Sequence, residues 1–324
     1  MRDLELILNA AGDGSQLTPG QARVIDPVLS TAARGYRNAD HIHYSLFPPV
    51  DTSIRGGTRI EFGREDFRLL DTRRAPGAKY QEVQLGHVGK EFAVQTHGLM
   101  GKLPIEIEQD AMRVPGIDMG MRTVDGTQGV ISLRREYLAA QLATDSDNYN
   151  ATHVLTLAGA SQWSHKDSDP SANIRKAINT TRQAIGRRPK HVALGGSVFE
   201  ALQAHKAILK AVFGDGPQGQ ITPSNLAKLW NVDVVAVGDA VYLDDAGATA
   251  DIWGDNVVVH YAAVGPVTRA EPSWGLGYEI DGGVSVDMAW YDASCRSWKY
   301  PVNAEYADLI VGKDAGYLIK DVLA

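Results

Sequence analysis

Residues 186–205 read GRRPKHVALGGSVFEALQAH, and the order of features in this stretch decides the fold. Gly186 followed by Pro189 stops a helix, because glycine accepts the left-handed C-cap and proline cannot continue the ladder. Residues 191–194 form a short apolar run between proline and glycine, which predicts a buried strand. Ser197 and Glu200 then form a capping box for a helix whose Val198, Leu202, His205, Leu209 and Val212 recur at four- and three-residue steps.

The same alternation extends to both sides. Upstream, Asp169-Pro170 is an N-cap with proline at the first helical position, and Ile174, Ile178 and Ile185 mark the buried face of the helix that Gly186 ends. Downstream, a Gly-rich loop covers residues 214–219. Thr222-Pro223 caps a third helix carrying Leu226, Leu229 and Trp230, and Asn231 ends it. Residues 232–237 and 257–261 are β-branched-rich strands. Helices alternating with strands predict an α/β lobe.

Outside this lobe the character changes. Residues 1–50 hold a short apolar stretch, Leu4 to Leu8, then a segment punctuated by Gly, Pro and Ser that ends Leu46-Phe47-Pro48-Pro49-Val50. Adjacent prolines favour an extended course, which predicts an arm lying on another surface. Residues 56–97 alternate with period two, as in Arg59-Ile60-Glu61-Phe62 and Glu82-Val83-Gln84-Leu85, and turn at Ala75-Pro76-Gly77, so a long charged β-hairpin is expected. A two-stranded ribbon is marginal alone and needs a surface to lie against. Asp125, with Gln128 as its reciprocal partner, is read as the start of a long spine helix with Val130, Ile131, Leu133, Tyr137, Leu138 and Leu142 on one stripe. Val284, Val286, Met288 and Trp290 alternate as a strand, a short helix is expected over residues 304–310, and a final strand over residues 317–323.

The chain has 324 residues and a formal net charge of −7. That balance argues against a tight hold on a polyanion, so any contact with DNA is expected to be weak and non-specific. No apolar run approaches the ~18 residues of a membrane span, and the acidic start does not resemble a signal peptide, so a soluble, intracellular chain is expected. The single cysteine, Cys295, excludes an internal disulfide framework.

Each candidate for chemistry has a plainer reading. Gly195-Gly196-Ser197 sits where a nucleophile elbow or phosphate loop belongs, but the motif spacing is absent and Ser197 is accounted for as an N-cap. His41 and His43, with His87 and His97, lack a ligand constellation and read as surface or interface histidines. Asp244, Asp245 and Asp251 read as a solvated turn. Arg187, Arg188 and Lys190 are short basic groups without interleaved aromatics. Trp253, Trp274, Trp290 and Trp298, with Tyr261, Tyr278, Tyr291 and Tyr300, read as core and interface packing, and Cys295 as a packed thiol. No catalytic residue, cofactor site or metal site is assigned.

Taken in order, these elements resemble the HK97-fold major capsid proteins of tailed phages. The pieces that carry the likeness are Leu46-Phe47-Pro48-Pro49-Val50, Asp71 to Ala78, Leu133-Arg-Arg-Glu136-Tyr137, Asp147-Asn148-Tyr149, the stretch quoted above, residues 221–227, Val234 to Gly238, and Ile252-Trp253-Gly254. The resemblance implies an α+β chain with an N-terminal arm (1–50), an extended β-hairpin loop (51–104), a peripheral domain with the spine helix (105–165 and 282–324) and an axial domain (166–281). It implies a shell subunit forming hexamers and pentamers of an icosahedral phage head around double-stranded DNA, made in the bacterial cytoplasm. Its partners would be a portal and a scaffold, maturation protease or decoration protein. It places the hairpin across a neighbouring subunit, so Arg64, Glu65, Asp66, Arg68, Arg73, Arg74, Lys79 and Glu82 are the expected inter-subunit contacts. The chain lacks the type member's long helical scaffolding region, which implies a separate scaffold or a cleaved one. Some relatives join subunits by an isopeptide bond, but neither Lys79 nor Lys90 finds an acceptor. An encapsulin-type shell and, from another class, an α/β enzyme with an oligomerisation arm are the alternatives.

Overall fold

The structure is a computed structural model, described here for residues 25–36, 38–61, 73, 88–113, 118–214, 219–263 and 273–324. The chain divides into two compact units. One comprises Met1–Tyr36, Gly98–Gln128 and Val284–Ala304; the larger comprises Arg37–His97, Gly129–Gly283 and Glu305–Ala324.

The larger unit is built on a five-stranded mixed sheet, ordered Val154–Thr156, Gly316–Lys320, Val257–His260, His191–Gly195, Val234–Gly238. Its two outer pairs are parallel and its two inner pairs antiparallel. Successive residues of a strand face opposite sides, and both sides are apolar. Val192, Leu194, Val257, Val259, Tyr317 and Ile319 join Ile174, Ile178, Leu202, Leu226 and Trp230 of the helices in one core. The intervening Ala193, Val258 and Leu318 join Phe47, Trp253, Trp274 and the small Ala139, Ala140 and Ala143 of the long helix in a second.

Four of the expected helix ends are present. Asp169 accepts from Ala172 N at 2.9 Å with Pro170 at N1, and Gly186 closes that helix at φ 69°. Thr222 caps Pro223–Trp230, and Asn231 ends it at φ 52°. Two readings are corrected. Ser197 is not a cap: the helix Gly196–Ala204 starts from Gly195 without a side-chain cap, and Ser197 Oγ donates to Gly254 O. The single helix expected through Val212 breaks at His205, whose extended backbone (ψ 118°) buries the imidazole against Ser168 Oγ at 3.1 Å and starts a second helix, Lys206–Phe213. The Gly195-Gly196 pair serves close packing: a Cβ on Gly195 would lie 2.1 Å from Gly254 O, and one on Gly196 2.1 Å from Asp239 Oδ1.

Residues 38–50 also depart from a purely extended arm. His43–Leu46 is a helical turn, and Leu46 and Phe47 are fully buried within the larger unit. Only beyond Pro48 does the chain extend, as Pro49–Thr52 pairing in parallel with residues 277–280. The roots of the charged hairpin pair antiparallel, Gly56–Glu61 with Val88–Ala93, as the alternation indicates. The turn at Ala75-Pro76-Gly77 lies outside the described residues.

In the smaller unit, Asp26 caps a helix, Pro27–Gly35, within the segment expected to run as an arm. Asp26 N donates to Val286 O, Ser30 Oγ accepts from Val286 N at 2.9 Å, and Arg34 Nε donates to Val284 O at 2.8 Å, so this helix is tied to the strand end at residues 284–286. Trp290–Asp292 pairs with residues 297–299 as the end of a long hairpin. The spine helix spans Met119–Thr144 and starts six residues before Asp125, because Asp118 Oδ1 accepts from Met121 N at 2.9 Å. Residues 304–310 are not a helix but the end of the strand Ser297–Ile310.

Candidate functional site

Two consecutive residues of the spine helix organise the polar interior of the larger unit. Arg135 is buried and forms a bidentate pair with Asp308 (Nη2 to Oδ1 2.7 Å, Nε to Oδ2 2.9 Å) and a third bond to Glu279 Oε1 at 2.6 Å. Its guanidinium lies 4.4 Å from the centre of the Tyr306 ring and 5.3 Å from that of Tyr44. Burial alone would drive Arg135 toward neutrality, but Asp308 and then Glu279 outweigh it and hold the proton. Burial raises the Tyr306 phenol to about 12.

Glu136 points elsewhere and accepts four N–H bonds: from Ile42 N (2.8 Å), His43 N (3.0 Å), His43 Nδ1 (2.6 Å) and Trp253 Nε1 (2.7 Å). Burial pushes its carboxyl up, yet the His43 bond and charge and the two backbone amides bring the net pKa below the usual carboxylate range. His41 Nδ1 lies 2.8 Å from Ser132 Oγ, one turn earlier on the spine helix. Donor atoms of His41, His43 and Glu136 lie within 4.8 Å of one another. Since the carboxylate is filled by four donors and His43 Nδ1 is spent on it, the geometry is that of a hydrogen-bonded clasp and leaves little capacity for a metal ion. The surface reading of His43 is therefore corrected: it is fully buried, and its partner is 93 positions away in sequence.

The root of the hairpin is tied to the same unit. Arg55 Nη2 bonds both oxygens of Glu305 (2.8 and 3.0 Å), and Phe92 stacks on Tyr278 at 4.5 Å. Beyond the root, Thr58, Gly89, Lys90 and Glu91 are exposed. Of the expected contact residues, Arg73 is described and exposed; Arg64, Glu65, Asp66, Arg68, Arg74, Lys79 and Glu82 lie outside the described residues.

The remaining candidates resolve locally. Asp244 Oδ1 accepts from Ala246 N and Ala248 N and so closes its own turn. Lys190 pairs with Asp233 at 2.9 Å, and Arg188 donates to Trp230 O. Trp253 and Trp274 are core residues, each seated on a glycine (Gly238 and Gly316) that has no room for a Cβ. Cys295 is half-buried in a hairpin turn, its Sγ 3.4 Å from Asp292 Oδ2. Trp290 and Tyr291, by contrast, are exposed.

Among the described residues, buried charges fasten elements of the larger unit together, while apolar and charged groups stay exposed elsewhere. Residues 121–271 match the family model "Phage major capsid protein E". A major capsid protein of Burkholderia phage BcepMu is 31% identical over 308 residues, covering 93% of this chain and 97% of that one. The chain belongs to the phage major capsid protein family. A phage-related protein from Bordetella bronchiseptica, known from its crystal structure, has 36% identity and a TM-score of 0.77, covering 93% of this chain and 98% of its own. The capsid of cyanophage P-SCSP1u, at 10% identity and a TM-score of 0.54, shares the fold. That fold is HK97-like. In this capsid subunit the spine helix carries the Arg135 and Glu136 clasps, whose partners could not be named from the sequence because they approach only in the folded chain.

Proposed function

We propose that this subunit assembles into hexamers and pentamers that close an icosahedral phage head around double-stranded DNA, with no catalytic role. The observation that carries the reading is the 31% identity to a major capsid protein along nearly the whole of both chains. Residues 166–281 would form the axial domain, 105–165 with 282–324 the peripheral domain, 51–104 the extended loop and 1–50 the arm. The loop would cross a neighbouring subunit, bringing Arg64, Glu65, Asp66, Arg68, Arg73, Arg74, Lys79 and Glu82 to that boundary. The rooted but exposed base of the hairpin supports this, since a ribbon with so little apolar surface gains stability only against a partner. A portal, a scaffold, a maturation protease and decoration proteins are the expected further partners in the bacterial cytoplasm, and DNA contact would be weak at net charge −7.

Because the relatives alike in sequence are phage capsid proteins, the phage head is favoured over an encapsulin-type compartment. Electron microscopy and light scattering of the purified protein test the proposal. Closed shells or capsomers are expected; a stable monomer under all salt and scaffold conditions overturns it.

A further inference from the structure

Residues 170–199 form the longest run of the chain without Asp or Glu, and their first part holds six cations: Arg175, Lys176, Arg182, Arg187, Arg188 and Lys190. The helix Pro170–Ile185 gathers them on one side. Ile174, Ala177, Ile178, Thr181 and Ala184 turn inward, while Arg175, Lys176, Asn179, Arg182 and Gln183 are exposed on the opposite arc. Gly186 ends the helix, and Arg187, Arg188 and Lys190 follow, all exposed, before the strand His191–Gly195 begins. One continuous element of the larger unit, about 24 Å of helix with its exit turn, therefore carries all six.

Local stabilisation accounts for only part of this pattern. A helix C-terminus favours cations, which covers Arg182 and the residues after Gly186, but Arg175 and Lys176 stand in the N-terminal half, where the macrodipole lends a cation no support. The first turn carries no acid either, although a carboxylate there would stabilise the helix. Arg175 lies 3.6 Å from Asp169 and Lys190 2.9 Å from Asp233, both in exposed pairs weak enough to exchange for another anion. Among the described residues, the side chains of Lys176 and Arg182 have no ion pair.

We infer that the outer face of Pro170–Ile185 and its exit turn is where the subunit meets packaged double-stranded DNA, through phosphates and without reading sequence. The inference rests on the shell-subunit reading and narrows its weak DNA contact to one face. A net charge of −7 disfavours a polyanion over the molecule as a whole, but within a Debye length of about 8 Å the local charges decide. Asn179 and Gln183, between the cations, can donate to phosphate oxygens. Residues 170–190 contain no aromatic side chain on which an unpaired base could stack, which favours a duplex over a single strand. A duplex presents one phosphate per ~1.7 Å of its axis, so an element of this length spans several.

The test uses the full-length subunit and a fluorescein-labelled duplex of roughly 30 bp, with binding followed by anisotropy at about 20–150 mM NaCl. Arg175→Gln with Lys176→Gln and Arg182→Gln keeps helix propensity. It is expected to weaken duplex binding about tenfold at the lowest salt and to reduce the slope of log affinity against log salt by about 2–3. Lys102→Gln with Arg113→Gln and Arg122→Gln removes the same charge from exposed positions of the smaller unit and should leave binding within about twofold. Lys176→Gln alone, which disturbs the fold least, should lower the slope by about 1. Equal losses in the two triple variants, an unchanged slope in the first or in Lys176→Gln, or no wild-type binding at the lowest salt overturns the inference. So does a single strand of the same length binding more tightly, or poly-glutamate competing as well as DNA at equal charge, which would assign the face to an acidic protein. Electron microscopy of the same wild-type protein reads the shell separately: DNA binding without assembly counts against the shell reading, and assembly without DNA binding against this inference.

Discussion

Trp253 Nε1 donates to Glu136 Oε1 at 2.7 Å, joining the bend between the strands Thr249–Asp251 and Val257–His260 to the spine helix across 117 positions of sequence. The same indole rests on Gly238, where a Cβ would lie 2.2 Å from its Cδ1. Trp253 therefore fills space and supplies a hydrogen bond to a buried charge.

Trp253→Phe keeps most of the volume and removes the donor. It is expected to cost roughly 1.5–3 kcal/mol, the range for hydrogen bonds to charged groups. Trp253→Ala should cost more, about 3–5 kcal/mol, since it adds a cavity. Urea unfolding of the unassembled subunit checks both, and a Trp253→Phe variant as stable as wild type would mean that the indole acts by packing alone.

Arg135 holds Asp308 and Glu279 through all three nitrogens of its guanidinium. Arg135→Met leaves two buried carboxylates facing each other without a cation, so a loss of about 3–5 kcal/mol is expected. Arg135→Lys should recover only part of it, because an ammonium cannot reproduce the bidentate fork. Thermal unfolding of both variants distinguishes charge from geometry.

His191 and His260 face each other on neighbouring strands with rings stacked 5.3 Å apart, and neither His260 nitrogen has a partner among the described residues. Burial, and then the neighbouring imidazole, hold His260 well below its ordinary 6.5; burial also lowers His191, with Asp233 raising and Lys190 lowering it in turn. Below about pH 6.5 the unfolded chain takes up protons that the folded chain refuses, so stability falls as pH falls, at up to ~1.4 kcal/mol per pH unit for each such histidine. His260→Phe should flatten the stability profile between pH 6.5 and 5. An unchanged slope would assign the acid sensitivity to other groups.

Arg73→Glu with Arg74→Glu tests the hairpin boundary. Exposed ion pairs contribute at most ~1 kcal/mol each, but a shell repeats every contact, so assembly should suffer more than folding. Thermal unfolding of the subunit is expected to stay near wild type while the yield of closed particles falls. A variant that unfolds well below wild type before assembly would place the hairpin in the subunit's own core.

Caps and short periodic runs were legible from the residues alone: Asp169, Gly186, Thr222 and Asn231 bound their helices where expected, and strands form at His191–Gly195 and Val257–His260 where expected. These signals are local, a side chain or a left-handed backbone acting within about four residues. The order of those elements was also enough to bring out the capsid resemblance. Tertiary structure decided what became of the charges. Residues 304–310, with Ala304, Ala307 and Asp308 at helical spacing, run as a strand, which carries Glu305 to Arg55 and Asp308 to Arg135, 250 and 173 positions away. His43, which reads as a surface group, is buried because Glu136 is there to meet it. A buried charge is tolerable only beside its partner, and partners this far apart in sequence are chosen by the folding of the whole chain.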